Sequence, residues 1–381
     1  MTSDRVKIAI AGVGNCASSL IQGIHMARDP DCQEEARIGI AHPVIGGFGV
    51  EDIDVVAGFD IDLRKVGKDV GDAIHAKPNN TKVFYEGVPH LGVEVLRGPT
   101  LDGFAREAMQ SVSEDRRFVE SDIPEKDFSE VVGLLRESGA DMLINYLPVG
   151  SEKATEFYAD ACLHAGIGYV GAIPVFIASD PKWIQMFEDR GLVCAGDDIK
   201  AQIGATITHR TLTKMFQDRG AVLDRTYQLN TGGNTDFLNM KDQSRLESKK
   251  TSKTGAVQSQ LDVPLPDEDI HIGPSDYVAW QNDNKVCFIR MEGRGFGGVP
   301  LNLELRLSVE DSPNSGGVMI DAIRGVKVAQ NRGEKGLLRE VSAYSFKHPL
   351  IQLSDPEARE ALDCYVEGRV LPGPIRVKLY D

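Results

Sequence analysis

A short apolar run, Val6-Lys7-Ile8-Ala9-Ile10-Ala11, leads into Gly12-Val13-Gly14-Asn15-Cys16-Ala17, and a helix-like stretch over residues 17–26 follows. Few local patterns restrict a fold so strongly. A strand that enters a helix through G-x-G-x-x-A uses its first glycine for a tight turn and its second for close approach of backbone to a ligand. The small third residue allows the helix to pack on the strand. The helix N-terminus then offers unpaired N–H groups and the positive end of its dipole to a pyrophosphate. The spacing predicts a Rossmann-like domain that binds a dinucleotide through Gly12, Gly14, Asn15, Cys16 and Ala17. A tight structural turn would explain the glycines alone; the strand before them and the helix after them favour the dinucleotide.

The rhythm continues for about two hundred residues. Strand-like runs at 54–60, 141–146, 168–173 and 192–195 alternate with helical periodicity at 128–138, 151–164 and 181–190. Such alternation implies a parallel sheet covered on both faces, with strand ends that share one ligand-binding edge. The second strand closes on Asp60, an acid suited to hold adenosine ribose hydroxyls and to repel a 2′-phosphate, which predicts NAD over NADP. Its distance from the fingerprint exceeds the usual ~20 residues, because a connection rich in Gly, Pro and acids intervenes at 29–51. Asp62 competes from the same face of an extended strand. Asp60 is preferred because it ends the apolar run, a helix N-cap being the plain alternative. Residues 78–117 read as a second irregular stretch.

After Asp198 the character changes. Residues 204–220 read as one long helix, and β-rich segments at 222–229, 286–294 and 301–309 surround a Lys-rich polar piece. Alternating apolar and polar residues over 301–309 predict antiparallel strands with one buried face. A helical pattern returns at 318–331. A chain of 381 residues exceeds one ordinary core. The expected architecture is α/β: a Rossmann-like NAD-binding domain over 1–203, an inserted α+β catalytic and oligomerisation domain over 204–310, and a C-terminal segment over 311–381 that returns to the first domain.

Bulk properties exclude some functions. With 57 acidic and 42 basic side chains the formal charge is −15, a field that repels DNA and RNA, so no nucleic-acid partner is expected. No apolar stretch approaches the ~20 residues of a membrane span, and no signal peptide is read, so a cytoplasmic protein without a membrane partner is expected. The six cysteines show no C-x-x-C pair, and His75, His209, His271 and His348 have no metal-ligand spacing. No G-x-S-x-G elbow suggests a hydrolase.

Further motifs follow in order: Asn145-Tyr146-Leu147-Pro148-Val149-Gly150-Ser151, Gly196-Asp197-Asp198-Ile199-Lys200, Asn230-Thr231-Gly232-Gly233-Asn234-Thr235-Asp236, and Ser248-Lys249-Lys250-Thr251-Ser252-Lys253. Glu310-Asp311-Ser312-Pro313-Asn314-Ser315 and Tyr344-Ser345-Phe346-Lys347 complete the set. Taken together over nearly the whole chain, it resembles myo-inositol-1-phosphate synthases of the shorter, prokaryotic type. The resemblance implies conversion of D-glucose 6-phosphate to 1D-myo-inositol 3-phosphate. NAD oxidises C5, loss of a C6 proton gives an enolate, that carbon attacks the C1 aldehyde, and NADH reduces the resulting ketone. The implied enzyme is therefore an isomerase that regenerates its cofactor, assembles as a homotetramer through the second domain's sheet, and serves inositol and phospholipid biosynthesis.

The resemblance also implies that Lys249, Lys253, Lys285 and Lys347 belong to the active site. The chemistry needs cations at the phosphate, the enolate and the aldol oxyanion, and lysines serve there. Lys249 and Lys253, four apart, share a helix face; mutual repulsion would lower both pKa values and favour proton transfer. Lys250 points elsewhere. From pattern alone, a solvated basic helix face is the competing reading. Asn230 and Asn234 around Gly232-Gly233 suit a polar loop for sugar hydroxyls or phosphate, with Asn234 expected in the catalytic set. Asp197 and Asp198 end an apolar strand before Lys200. Asp198 is expected to act in catalysis, and Asp197 and Asp311 to contact the cofactor. Asp197, Asp311 and Ser312 are hard oxygen donors suited to a divalent cation on a cofactor phosphate, a monovalent one being the alternative. Ala201 departs from the family, which often carries Ser there. Arg210 is expected to be structural. Two other readings share the fingerprint: an NAD dehydrogenase with net cofactor turnover, and a non-catalytic NAD-binding regulator.

Overall fold

The protein is represented by a computed structural model that describes residues 5–242, 245 and 247–369. Six strands open the chain: β1 (Val6–Ala11), β2 (Ile53–Asp60), β3 (Val95–Arg97), β4 (Met142–Asn145), β5 (Gly168–Gly171) and β6 (Val193–Ala195). Four longer ones follow, β7 (Val222–Gly232), β8 (Ile270–Tyr277), β9 (Asn284–Arg294) and β10 (Pro300–Glu310), before the short β11 (Gly336–Leu337). The first six and β11 make a seven-stranded sheet in the order β11-β6-β5-β4-β1-β2-β3, with every neighbouring pair parallel. This is the doubly wound order of dinucleotide-binding folds, extended at one edge by β11.

Strand residues divide between two cores by the period-2 rule. Ile8 and Ile10 face the helices Asn15–Arg28 and Asp311–Asn331. Ala9 and Ala11 face Phe128–Glu137 and Glu152–Ala165. Both faces are covered, so central strands read as continuous apolar runs. Local signals start the outer helices: Asp127 and Glu130 form a capping box, and Asp180 caps a helix with proline in its first turn.

The connection over residues 29–51 is built onto the returning Asp311–Asn331 helix. Buried Arg324 donates to the carbonyls of His42, Pro43 and Phe48 at 2.6, 2.9 and 3.2 Å. His42 sits between Asp321 and Asp363, 2.7 Å from each. Burial depresses the imidazolium, but hydrogen bonds to Asp321 and Asp363 outweigh it and hold the pKa above 6.5. A pKa raised by folding adds stability that is full below the unfolded value and is lost as pH rises through the folded value. The melting-temperature gap between the wild type and His42→Gln is therefore expected to be widest below about pH 6.5 and to narrow as pH rises. A gap that is flat or widens across a pH series of thermal melts contradicts this.

The second sheet has the order β10-β9-β7-β8. β10, β9 and β7 are antiparallel neighbours, as the alternation predicts. β8 departs from it by running parallel to β7. The intervening chain forms the helices Thr235–Asn239 and Glu247–Gln258, and a helical crossover returns a strand in the parallel sense. That crossover carries the Lys-rich segment. One face of the sheet buries Leu223, Ile289 and Met291 against Phe216 of the Ala205–Asp218 helix. The other leaves Tyr227 and Phe288 exposed, at 38% and 43%. Fully buried Arg210 ties the Ala205–Asp218 helix to Ala256 and Leu353 carbonyls and to Asp355.

Candidate functional site

The edge of the parallel sheet and the second sheet enclose one cleft, lined among others by Gly14, Asp60, Asn234, Lys253, Lys285 and Lys347. The two fingerprint glycines differ physically. Gly12 has φ +93°, and a Cβ there would lie 2.6 Å from the Tyr146 carbonyl oxygen. Gly14 has extended backbone and caps the Asn15–Arg28 helix; a Cβ there meets nothing within 4 Å. The helix N-terminus is therefore left open toward the cleft at Gly14. Ala17 is fully buried in the core beneath the sheet. Cys16 lies 3.7 Å from the Ser312 hydroxyl, and burial pushes its thiol up to about 12, which removes it as a nucleophile. Asn15 accepts from the N–H groups of Asn80 and Thr81 at 2.8 and 3.2 Å. Its amide donates to Asn80 at 2.9 Å and Asp283 at 3.2 Å.

Asp60 lines the cleft while holding the turn. Its oxygens accept from the N–H groups of Val13, Ile61 and Asp62 at 2.9, 2.7 and 2.9 Å. Lys65, wholly buried, stands 3.4 Å away, so the acid is not the bare negative charge that the argument against a 2′-phosphate assumed. Asp62 is fully buried, gripped by Arg64 at 2.6 Å and by the Val119 N–H at 2.9 Å.

Three lysines from three parts of the chain meet in the cleft. Lys253 is buried on the Glu247–Gln258 helix. Lys249 lies one turn earlier on that helix, and its side chain is outside the described residues. Lys285, on β9, stands 3.1 and 3.3 Å from the two Asp311 oxygens. Burial depresses its pKa, but Asp311 outweighs this and leaves it raised, so the ammonium keeps its charge. Lys347 donates to Asp198 at 2.8 Å, and the Ser252 hydroxyl donates to the other Asp198 oxygen at 2.7 Å. Asp198, held at φ +63°, thus joins the end of the parallel sheet to the lysine-bearing helix and to residue 347. Asn234 caps the Thr235–Asn239 helix by accepting from the Phe237 N–H at 3.1 Å and donates to Asp283 at 2.9 Å. Asn230 lies elsewhere: buried in β7, it donates to the Gly273 carbonyl at 2.7 Å across the β7–β8 pair.

Asp197 departs from the expected cofactor and cation role. It is wholly buried. Its oxygens accept from the N–H groups of Ile177, Ala178 and Ser179 at 3.1, 3.2 and 2.9 Å and from the Ser179 hydroxyl at 2.8 Å. Burial raises its pKa to about 7 against those bonds. The carboxylate is spent on the loop before the Pro181–Asp189 helix. The oxygen trio for a cation is therefore not assembled. Asp311 pairs with Lys285 and Ser312 donates to Asp283 at 3.0 Å. Among the described residues, no group of three or more His, Cys, Asp or Glu is placed to hold a metal.

Two groups escaped sequence reasoning. Asp283 precedes β9 with no motif to mark it, yet it bonds Asn15, Asn234 and Ser312. Tyr146 carries a buried hydroxyl without a partner among the described residues and lines the cleft. Lys200 lies behind the cleft, 2.8 Å from the Ala343 carbonyl, and is lowered to about 7 by burial and then by Arg210. Ala201 forms part of the cleft wall.

The chain is similar to known proteins. The model of the myo-inositol-1-phosphate synthase family matches residues 204–312. An inositol-3-phosphate synthase of Mycolicibacterium smegmatis is 50% identical over 367 residues, which is 95% of this chain and 98% of that protein. Among solved structures, Ari2 is 32% identical with a TM-score of 0.74, covering 95% of this chain and 99% of its own. A myo-inositol-1-phosphate synthase-related protein of Thermotoga maritima is 25% identical with a TM-score of 0.78, covering 95% and 98%.

Proposed function

The chain belongs to the myo-inositol-1-phosphate synthase family, and we propose that this cleft converts D-glucose 6-phosphate to 1D-myo-inositol 3-phosphate with NAD along the fingerprint. The observation that carries the reading is the convergence of Lys253, Lys285 and Lys347 beside Gly14. A simple dehydrogenase needs one proton-transfer group, whereas ring closure needs positive charge at a phosphate, an enolate and an aldol oxyanion.

The residues present fit NAD. The helix N-terminus is open at Gly14, an acid ends β2, and the buried Tyr146 hydroxyl has no hydrogen-bond partner among the described residues. When bound, NAD supplies a hydride acceptor that is restored within the same reaction. The protein's own groups do the rest. Lys285, kept charged by Asp311, suits the phosphate or an oxyanion. Lys347 is aimed by Asp198, which holds its ammonium at 2.8 Å. Lys253 is the proton-transfer group at C6 and at the closing oxygen, with Lys249 assigned beside it by family likeness. Asn234 shapes the sugar-facing wall. The oxygen donors do not fit a resident cation, and no step runs through one.

The same reading divides the chain at 203/204 and 310/311 and joins copies into a homotetramer through the sheet face bearing Tyr227 and Phe288, which sedimentation tests. Six free thiols support a reducing, cytoplasmic setting. No helix among the described residues is long and apolar enough to cross a membrane.

With glucose 6-phosphate and substoichiometric NAD, inositol phosphate is expected in molar excess over the cofactor. NADH accumulating one for one with a sugar ketone would instead mark a dehydrogenase. Tight NAD binding without turnover would mark a regulator.

A further inference from the structure

We infer that Asp283 is the centre of a polar clasp that retains reduced cofactor in the cleft between the two hydride transfers. This deepens the reading above and rests on it. Asp283 is 1% exposed and stands at the mouth of β9. One carboxylate oxygen accepts from the Asn15 amide at 3.2 Å, the Asn234 amide at 2.9 Å and the Ser312 hydroxyl at 3.0 Å. The other accepts from the Ser312 N–H at 3.1 Å. The Asp283 carbonyl accepts from the Asp311 N–H at 3.0 Å. These partners belong to three separate pieces of chain: the fingerprint helix, the cap after β7, and the start of the Asp311–Asn331 helix.

A second arc closes the ring. Asn80 exchanges two hydrogen bonds with Asn15, at 2.8 and 2.9 Å, and donates to the Gly233 carbonyl at 3.2 Å. Gly233 adjoins Asn234, which returns to Asp283. The ring thus runs from the residue after Gly14 across to the second sheet and back. Separating the two walls of the cleft at the fingerprint requires breaking it, and bonds to a buried carboxylate are the strong kind.

The chemistry supplies the reason for such a device. An ordinary dehydrogenase must release its reduced cofactor every turnover. Here the hydride has to return to the same sugar after enolisation and ring closure, so escape of NADH strands a ketone. A ring that slows opening protects the cycle without touching the reacting atoms, which makes Asp283 a positioning residue.

The test uses the full-length protein with Asp283→Asn, Asn80→Ala and the double variant. Stopped-flow fluorescence would follow bound NADH chased by excess NAD without sugar. A turnover assay would count NADH released per inositol phosphate formed. Asp283→Asn keeps the volume but sets an amide against the Ser312 N–H. It is expected to speed NADH dissociation by roughly tenfold or more, and NADH leakage should appear during turnover. The double variant should dissociate faster than either single variant, because Asp283 and Asn80 carry parallel arcs between the same two walls. Unchanged dissociation with no leakage overturns the clasp even if turnover falls, and so does a double variant no faster than the faster single variant. If Asp283→Asn fails to fold, Asn80→Ala alone decides by the same two readouts. A wild type that binds NADH yet forms no inositol phosphate counts against the synthase reading instead, while the dissociation rates still judge the ring.

Discussion

Replacing Lys253 with alanine is expected to lower cyclisation of glucose 6-phosphate by about 10²–10⁴-fold, the range that positioned proton-transfer groups contribute. NAD affinity should change little. Loss of the ammonium removes the cation that the lysine-bearing helix contributes to the cleft lining, but the helix itself stays placed. Its anchor is the neighbouring Ser252, whose hydroxyl donates to Asp198 at 2.7 Å. The comparison with Lys347→Ala sharpens the point. Lys347 neutralises Asp198 at 2.8 Å, so its removal leaves a carboxylate 5% exposed without that cation, and stability should suffer along with rate. Steady-state assays with calorimetric NAD titrations distinguish the two variants. Cyclisation within a few fold of wild type in Lys253→Ala would falsify its assignment as the proton-transfer group.

The second large effect separates the two fingerprint glycines. Gly14→Val is expected to fold normally, since its backbone is extended and a Cβ meets nothing within 4 Å. The added methyls occupy the opening where a pyrophosphate must approach, so NAD affinity should fall by at least roughly tenfold. Gly12→Ala should show the opposite order of effects. At φ +93° the new Cβ is strained and lies 2.6 Å from the Tyr146 carbonyl oxygen. Left-handed backbone alone costs about 1–2 kcal/mol, and β1 must shift away from β4 to relieve the contact. Thermal melts and NAD titrations on both proteins check this. Equal losses of stability in the two variants would refute the division of labour.

The adjacent acids Asp197 and Asp198 show where sequence reasoning reached its limit. Both end an apolar strand and both suit a ligand. Only Asp198 turns toward the lysines; Asp197 is consumed by three N–H groups and a hydroxyl from residues 177–179. No local pattern separates them, because the deciding donors lie on a loop some twenty positions away. The same holds for Asn230 and Asn234, one closing a strand pair and the other capping a helix in the cleft wall. The missed β8 carries Gly273 and Pro274, residues that argue against a strand. It pairs along β7 because the helical crossover delivers it there.

What the sequence determined by itself was whatever has a short period or a fixed spacing. β1, β2, β4, β5 and β6 of the parallel sheet, the longer helices between them, the fingerprint turn and the acid at the end of β2 follow from residues within a few positions of one another, whereas β3 lies in a stretch that reads as irregular and β11 spans only Gly336–Leu337. The tertiary structure alone decided which charges meet. Asp283 reaches Asn15 across 268 positions, and Lys347 reaches Asp198 across 149. Periodicity is encoded in neighbouring side chains, whereas the partner of a buried polar group is set by whichever segment packing brings beside it.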